Sequence, residues 1–509
     1  MIRKRMNGER TLDSYMGLKR LRSERQTFER QTFEGQTRQQ KLVQKTLTDT
    51  YQTGTRNVML FVEASAGTGK TTCIANGYLE IDSSKRPLCL SFNRSTVKEI
   101  SAKCGLKVAE AKAEGMLTFA GFAWRVCTQL GMIKMRTYKC NMTSLPGNLH
   151  KVLTACTLFK CSLYVDYLKR GKCNLEQWRS NINDSSPQCL LDFPDDTYSP
   201  KIACDAVEKV QSKMLASKKG LCEATRDDLA ILLLKGIETE ARLPDVAKLF
   251  LNRGAIIDEA QDLNPSTLNI LDLVLKRRSF DKRPPLALFG DSSQQINAWN
   301  GAVNAFKKLK DRCSESEVTR VELTLTESFR FGPDVAELRN YIVSRTRFHG
   351  SWPSMTASSM KKTPILKWEP CMVPVAMENK TVTVLCRSHS TLRDLALQCA
   401  DQKQPVFVKN LSHSVWDGER ASRGNKGLKK TLQQTKGDVV VFQTIHTMKG
   451  GESDVVYVAH DVMKWLENPE AVKQEDVCLA IVALTRVKTT ALYIPPILYN
   501  KWVYVNRYK

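Results

Sequence analysis

The stretch EASAGTGKTT (Glu63–Thr72) decides the fold because of what flanks it: the apolar run NVMLFVEA leads in and the helical pattern TTCIANGYLEI leads out. Strand, tight turn and helix in that order are the context of a phosphate-binding loop. The residues fit G-x-x-x-x-G-K-[ST], with Ala64 in the place of the first glycine. In such a loop the backbone amides from Ser65 and Ala66 through Gly67, Thr68 and Gly69 wrap phosphate oxygens, aided by the helix N-terminus. Lys70 then reaches the β- and γ-phosphates, Thr71 offers its hydroxyl to Mg²⁺, and Thr72 completes the turn into the helix. ATP and Mg²⁺ are the expected ligands.

Outward from the cradle, further short apolar runs end in polar residues: RPLCLSF, GAIIDEAQD and PPLALFGD. Buried parallel strands read this way, with their chemistry at the C-terminal ends. AIIDEAQD supplies the acids that the cradle needs. Asp258 is placed to hold Mg²⁺ and Glu259 to take a proton from the attacking water. FGDSSQQINAWNGA again ends a strand in acid and amide groups; Gln294 could sense the γ-phosphate, and Trp299 stands a few residues on. A second series of strands starts at VELTLTESFR and runs through TVTVLCRS, QPVFVKN, GDVVVFQTIH, SDVVYVAH and TTALYIPP. It carries Arg330 near its start and Arg486 near its end. Two guanidinium groups facing a cradle on another unit would stabilise charge on a transferring phosphoryl, an effect worth ~10³–10⁵ in rate.

The totals set the class. The chain has 509 residues, enough for two to four domains, with 42% hydrophobic and 26% charged residues as in ordinary soluble proteins. No apolar run approaches the ~18 residues of a membrane span, and the charged start MIRKRMNGER lacks the hydrophobic stretch of a secretory signal. There are 16 cysteines, none in a C-x-x-C pair, which suits reduced thiols of an intracellular protein; seven lie between Cys140 and Cys222, where a metal cluster is the alternative. A surplus of 77 basic over 53 acidic residues leaves a net charge of +24. Such an excess favours a polyanionic partner, because each phosphate neutralised releases counterions.

The blocks, taken in order, resemble the superfamily 1A helicases of the UvrD/Rep/PcrA group. AGTGKT, SFN, DEAQD and SFRFGP are closest in flavour to the eukaryotic F-box DNA helicase. LSFNRSTVKE resembles motif Ia, LTFAGFAWRV motif Ib, DEAQD motif II, GDSSQQINAWNGA motif III and LTESFRFG motif IV. FQTIHTMKGGESDVVYV resembles motif V and EDVCLAIVALTRV motif VI. The resemblance implies a motor on single-stranded DNA and on tailed or forked duplex, moving 3′→5′ because QQINAWNG lacks the QLPP look of the opposite branch. It implies that Phe329 stacks on adenine and Glu452 touches ribose. Phe92 and Trp299 become platforms for bases, with Arg94, Thr118 and His446 near the strand. Base–aromatic stacking, worth ~1–3 kcal/mol per base, is indifferent to sequence, as a motor requires. A glutamine ahead of the cradle reads adenine in the family; Gln40 is taken for that place, with Gln44 as the alternative.

The expected organisation is α/β: two RecA-like P-loop domains with parallel sheets, a largely helical insertion in the first and a much reduced one in the second. Residues 1–40 form a basic, disordered tail; 41–126 and 251–320 the first domain; 127–250 the helical insertion; 321–509 the second domain, with its short insertion at 411–436. The tail holds Arg3-Lys4-Arg5 and Lys19-Arg20-Leu21-Arg22, which suit nuclear import or phosphate contact, or simply a solvated segment. ERTLDSYM (Glu9–Met16) has the spacing of a degenerate sliding-clamp ligand, and a chance match is the alternative. The tail is too short for an F-box, so no ubiquitin-ligase role is carried over. Ala120, Asn300 and Thr72 depart from the family's usual His, Arg and Arg. A protein-stripping translocase, an RNA helicase and a scaffold with an inactive ATPase remain as rival functions.

Overall fold

A computed structural model describes residues 36–130, 243–263, 282–297, 304–315, 317–409 and 437–507, with a few single positions between them. The ERTLDSYM segment, the Cys-rich stretch, Trp299, Asn300 and most of 411–436 lie outside the described residues.

The described strands form two parallel sheets, each of six strands. The first holds β1 (Val58–Ala64), β2 (Leu88–Ser91), β3 (Met116–Thr118), β4 (Ala255–Asp258), β5 (Leu286–Gly290) and β6 (Thr319–Leu325), in the order β3-β2-β4-β5-β1-β6. A two-stranded link of β7 (Glu327–Ser328) and β8 (Thr356–Ala357) follows. The second sheet is built from β9 (Ile365–Lys367), β10 (Val382–Cys386), β11 (Val406–Val408), β12 (Val440–Thr444), β13 (Ser453–Val458) and β14 (Val487–Ile494). Its order is β11-β12-β10-β13-β14-β9. This is the two-sheet α/β architecture that the sequence predicts.

Both faces of each sheet are covered, which explains the unbroken apolar runs of the central strands. Along β1, Met59 and Phe61 enter one core with Phe122, Phe250 and Leu288, while Leu60 and Val62 enter another with Ile74, Tyr78 and Phe289. The period of two along a strand makes that division automatic. The helix Lys70–Glu80 covers the second face, so the loop before it is fixed at the C-terminal edge of β1. In the other sheet, Val384 and Val455 face one core and Leu385 and Val456 the other. That last core also takes in Ala66 and Ile296 from the first lobe, so the lobes share apolar packing next to the cradle.

Several expected boundaries move. VELTLTE does not begin the second unit: β6 pairs with β1 throughout its length, from Val58–Thr319 to Ala64–Leu325, and belongs to the first sheet. As an edge strand it alternates exposed and half-buried residues, and nothing in that alternation tells which sheet it joins. The first lobe also begins before residue 41. Thr37 and Gln40 form a capping box that starts the helix Arg38–Gln52. The helix Phe119–Gln129 runs past residue 126, with Val126 and Cys127 in the core, and Phe250 of the helix Asp245–Arg253 packs there too. The inserted segment is therefore shorter at both ends than 127–250.

Candidate functional site

The cradle is held open by its backbone. Gly67 and Gly69 have φ of +73° and +79°, left-handed values that side-chain-bearing residues resist. Gly67 is also pressed from outside: a Cβ there would lie 2.6 Å from Ser328 Oγ and 2.7 Å from Arg330 Cβ. The Phe329 N–H donates to Gly67 O at 2.8 Å, and the Ser65 N–H donates to Leu325 O at 2.9 Å. Thr68 Oγ1 donates to Ser65 O at 2.8 Å and closes the turn. Gly69 caps the following helix without any side-chain bond and no acid lies in its first turn, so the amides at its N-terminus remain available to an anion. Ala64, Ser65, Ala66 and Thr68 are buried in the walls, while Thr71 and Thr72 are half-buried at the helix start.

Gln40 and Gln44 separate cleanly. Gln40 Nε2 donates to Thr68 O at 2.9 Å, so this side chain lies against the cradle. Gln44, one turn on, instead bonds Gln36 and Glu80, the last residue of the helix that follows the cradle.

Asp258 ends β4 with its side chain wholly buried, and Glu259 follows in a left-handed conformation with φ of +57°. Such strain in a residue with a side chain is concentrated at working sites. Lys70 Nζ bridges the two acids, 2.9 Å from Asp258 Oδ1 and 2.8 Å from Glu259 Oε1. Burial alone would discharge the ammonium, but the two carboxylates outweigh it and keep Lys70 firmly charged. Burial pushes Asp258 up, against the pull of Lys70. For Glu259 burial is overcome by Lys70 and Lys449, with hydrogen bonds from Lys70 and Gln261, and the carboxyl is held below its usual range. One acid therefore stays ionised while its neighbour titrates more readily.

The second sheet brings its own groups to this edge. Arg330 Nε donates to Glu452 Oε2 at 3.1 Å and its Nη1 to Thr485 O at 2.9 Å. Arg486 follows the helix Gln474–Leu484, is 2% exposed, and donates through Nη2 to Gln294 Oε1. Gln294 Nε2 in turn donates to Asp291 Oδ2 at 2.5 Å. Burial, and then the charge of Arg330, press the Arg486 guanidinium down to about 9. Glu259 acts on both arginines, so the cradle lysine, the acids and the two guanidinium groups share one electrostatic site.

The residues expected near a strand lie along the C-terminal edge of the same sheets. Thr118 pairs with Ser91 across β3 and β2, so Phe92 and Arg94, just beyond Ser91, leave from the same edge. Phe92 is half-buried and Arg94 exposed. Thr118 also caps its helix by accepting from the Gly121 N–H at 3.0 Å. His446 Nε2 lies 3.0 Å from Ile296 O, on the segment that leads to residue 299.

Sequence reasoning passed over two groups. Lys449 lies in the quoted HTMKGGE and crosses between sheets, 2.6 Å from Asp262 Oδ1 and 2.9 Å from Gln294 O. Its neighbour Glu452 was singled out, and the same block held the signal. Glu63, the penultimate residue of β1, accepts from the Ser292 N–H at 2.6 Å and the Ser292 hydroxyl at 2.7 Å. A carboxylate inside an otherwise apolar strand was its signal.

The donor set suits Mg²⁺. Asp258 Oδ2 is buried with no hydrogen-bond partner, and with the Thr71 hydroxyl nearby in sequence to Lys70 it offers hard oxygen ligands. Among the described residues no cluster of three or more His, Cys, Asp or Glu is placed to hold a metal ion. None of the nine described cysteines is in a disulfide, and all but Cys371 are buried. No described helix is long and apolar enough to cross a membrane.

A family model described as the UvrD/REP helicase N-terminal domain matches residues 52–313, more than half of the chain. No curated protein matches the chain.

Proposed function

This chain belongs to the UvrD/REP helicase family, and from that premise we propose that it is an ATP-driven motor that moves 3′→5′ along single-stranded DNA and unwinds tailed or forked duplex. The family implies ATP-dependent DNA helicase activity. Direction, substrate form and a setting in replication, repair or recombination in the nucleus are our own extension.

The observation that carries the proposal is the meeting of Arg486 and Gln294, from different sheets, beside a cradle against which Arg330 is packed. Hydrolysis needs Lys70 to leave the carboxylates for the β- and γ-phosphates, which frees Asp258 and Glu259 together. Mg²⁺, held by Thr71 and Asp258, would neutralise charge on the phosphates. Once Lys70 has left, burial makes the Glu259 carboxylate a stronger base, and it accepts a proton from the attacking water. Gln294 orients that water or the γ-phosphate, while Arg330 and Arg486 stabilise charge as it moves to the leaving oxygen. Phe329 and Gln40 border the place where adenine would stack, and Glu452 lies beside Arg330 toward the ribose.

Opening and closing of the lobes then alternates the grip of Phe92, Arg94 and Thr118 on one side with that of His446 on the other. Trp299 is the further platform we assign. The brevity of 411–436 favours, as a second possibility, a translocase that strips proteins and unwinds little. Purified protein with ATP and 3′- or 5′-tailed duplexes tests both, scored for hydrolysis, unwinding and displacement of a bound protein block. Hydrolysis that single-stranded DNA fails to stimulate would sink the motor.

A further inference from the structure

The turn that follows the general base is tied to both lobes, and the hydrolysis described above uses neither tie. Ala260–Asp262 begins directly after Glu259, with the Asp262 N–H donating to Glu259 O at 2.9 Å and the Leu263 N–H to Ala260 O at 3.2 Å. Within the first lobe, Gln261 reaches in two directions. Its Nε2 donates to Glu259 Oε2, and its Oε1 accepts from the Asp291 N–H at 3.1 Å. Gly290 makes room for it: a Cβ there would lie 2.5 Å from Gln261 Oε1. The carboxylate of the base is thus held by an amide that is itself fixed to the segment carrying Gln294.

Asp262 makes the tie to the second lobe. Its side chain is wholly buried and that of Lys449 nearly so. Lys449 Nζ stands 2.6 Å from Asp262 Oδ1 and donates to Gln294 O at 2.9 Å. A cation and a carboxylate this deeply buried hold each other, since either left alone would keep an uncompensated charge out of water. Lys449 directly follows the short helix Ile445–Met448, and His446 of that helix lies 3.0 Å from Ile296 O. Ile445 and Met448 pack in the core that takes in Ile296. One turn of the second lobe therefore carries, three residues apart, the imidazole we assign to the DNA strand and the ammonium that grips the turn behind Glu259.

We propose that the Asp262–Lys449 pair is a clasp between the lobes that carries displacement of the strand-binding edge to Glu259 through Gln261. Asp262 is a positioning residue, acting on the base through its neighbours. A strand that moves His446 moves Lys449 with it; Lys449 draws Asp262, and Gln261 re-aims the Glu259 carboxylate. Every link in that chain is a hydrogen bond, an ion pair or a shared stretch of backbone, as a physical route between two sites requires. The proposal rests on the motor function above, and the test separates the two.

In the full chain without nucleotide or DNA, hydrogen exchange is followed in the peptide spanning Ala260–Leu263. Asp262→Asn and Lys449→Met should each speed it about tenfold, because a broken tie loosens a local opening unit. The double variant should match the faster single variant, because both changes break one link. In hydrolysis assays, the ratio of kcat with oligothymidylate to kcat without it should fall about tenfold in Asp262→Asn, with KM for ATP changed less than about twofold. A purely structural role for Asp262 would leave that ratio where it is. Exchange effects that multiply, or exchange held at the parent rate, would overturn the clasp; a parental ratio in Asp262→Asn would overturn its reach to Glu259. Should Asp262→Asn fail to fold, Asp262→Glu, which keeps the charge and displaces it by one methylene, is measured the same way and should show a smaller change in the same direction. A parent protein that oligothymidylate fails to stimulate overturns the motor, and the exchange data still decide the clasp.

Discussion

Arg486→Met should make the free protein more stable and nearly inactive. The guanidinium is buried and pressed from its ordinary 12.5 to about 9 by burial and by Arg330. At ~1.4 kcal/mol per tenfold change in the equilibrium, that is about 5 kcal/mol against the cation. The sign follows from its being a base with a lowered folded value: the cost is complete below pH 9 and is relieved only as pH rises beyond it. Of its four acceptors, Val482 O and Thr485 Oγ1 still bond each other when the side chain is removed, while Gln294 Oε1 and Gly451 O lose this donor, a loss of about 2–3 kcal/mol at ~1–1.5 each. The balance of about 2 kcal/mol corresponds to a rise in melting temperature of about 4–8 °C for a lobe of this size. Hydrolysis should meanwhile fall about 10³-fold, as for a lost arginine finger. Melting curves at pH 7.5, with and without a non-hydrolysable ATP analogue, check both halves, and the analogue should stabilise the variant less than the parent. A variant that melts several degrees below the parent would refute the idea that the site stores charge strain for an anion to relieve.

Lys70→Ala and Glu259→Gln should each reduce strand-stimulated hydrolysis by at least about 10²-fold while circular dichroism stays native, since both act on the reaction. Gly67→Ala places a Cβ 2.6–2.7 Å from Ser328 Oγ and Arg330 Cβ at a left-handed φ, so nucleotide affinity, read by fluorescent-analogue titration, should fall about tenfold or more. The acid limb of kcat/KM should lie above the ordinary carboxylate range, because burial raises Asp258 and activity is lost as pH falls and it takes up a proton; a profile flat to pH 4.5 would contradict that.

Most of the cradle edge was legible because parallel strands end where their chemistry stands, and apolar runs ending in polar residues are easy to see. Lys70, Asp258, Glu259 and Gln294 follow from that rule; the structure brings the first three into contact and joins Gln294 to Arg486. The strand Thr319–Leu325 was misplaced because an edge strand's alternation carries no record of its neighbour. Lys449 shows the limit: its partners Asp262 and Gln294 lie far away in sequence, and only the tertiary fold makes them neighbours.

The passage from β6 to Arg330 has a mechanical meaning. Leu325 O accepts from the Ser65 N–H and the Phe329 N–H donates to Gly67 O, so the connecting chain is stitched to the cradle at two points. A pivot fastened to its own fuel socket transmits torque in both directions. A backward pull on the DNA should therefore widen the loop and hasten ADP escape, so that force on the track and the dwell of spent nucleotide become two readings of one displacement.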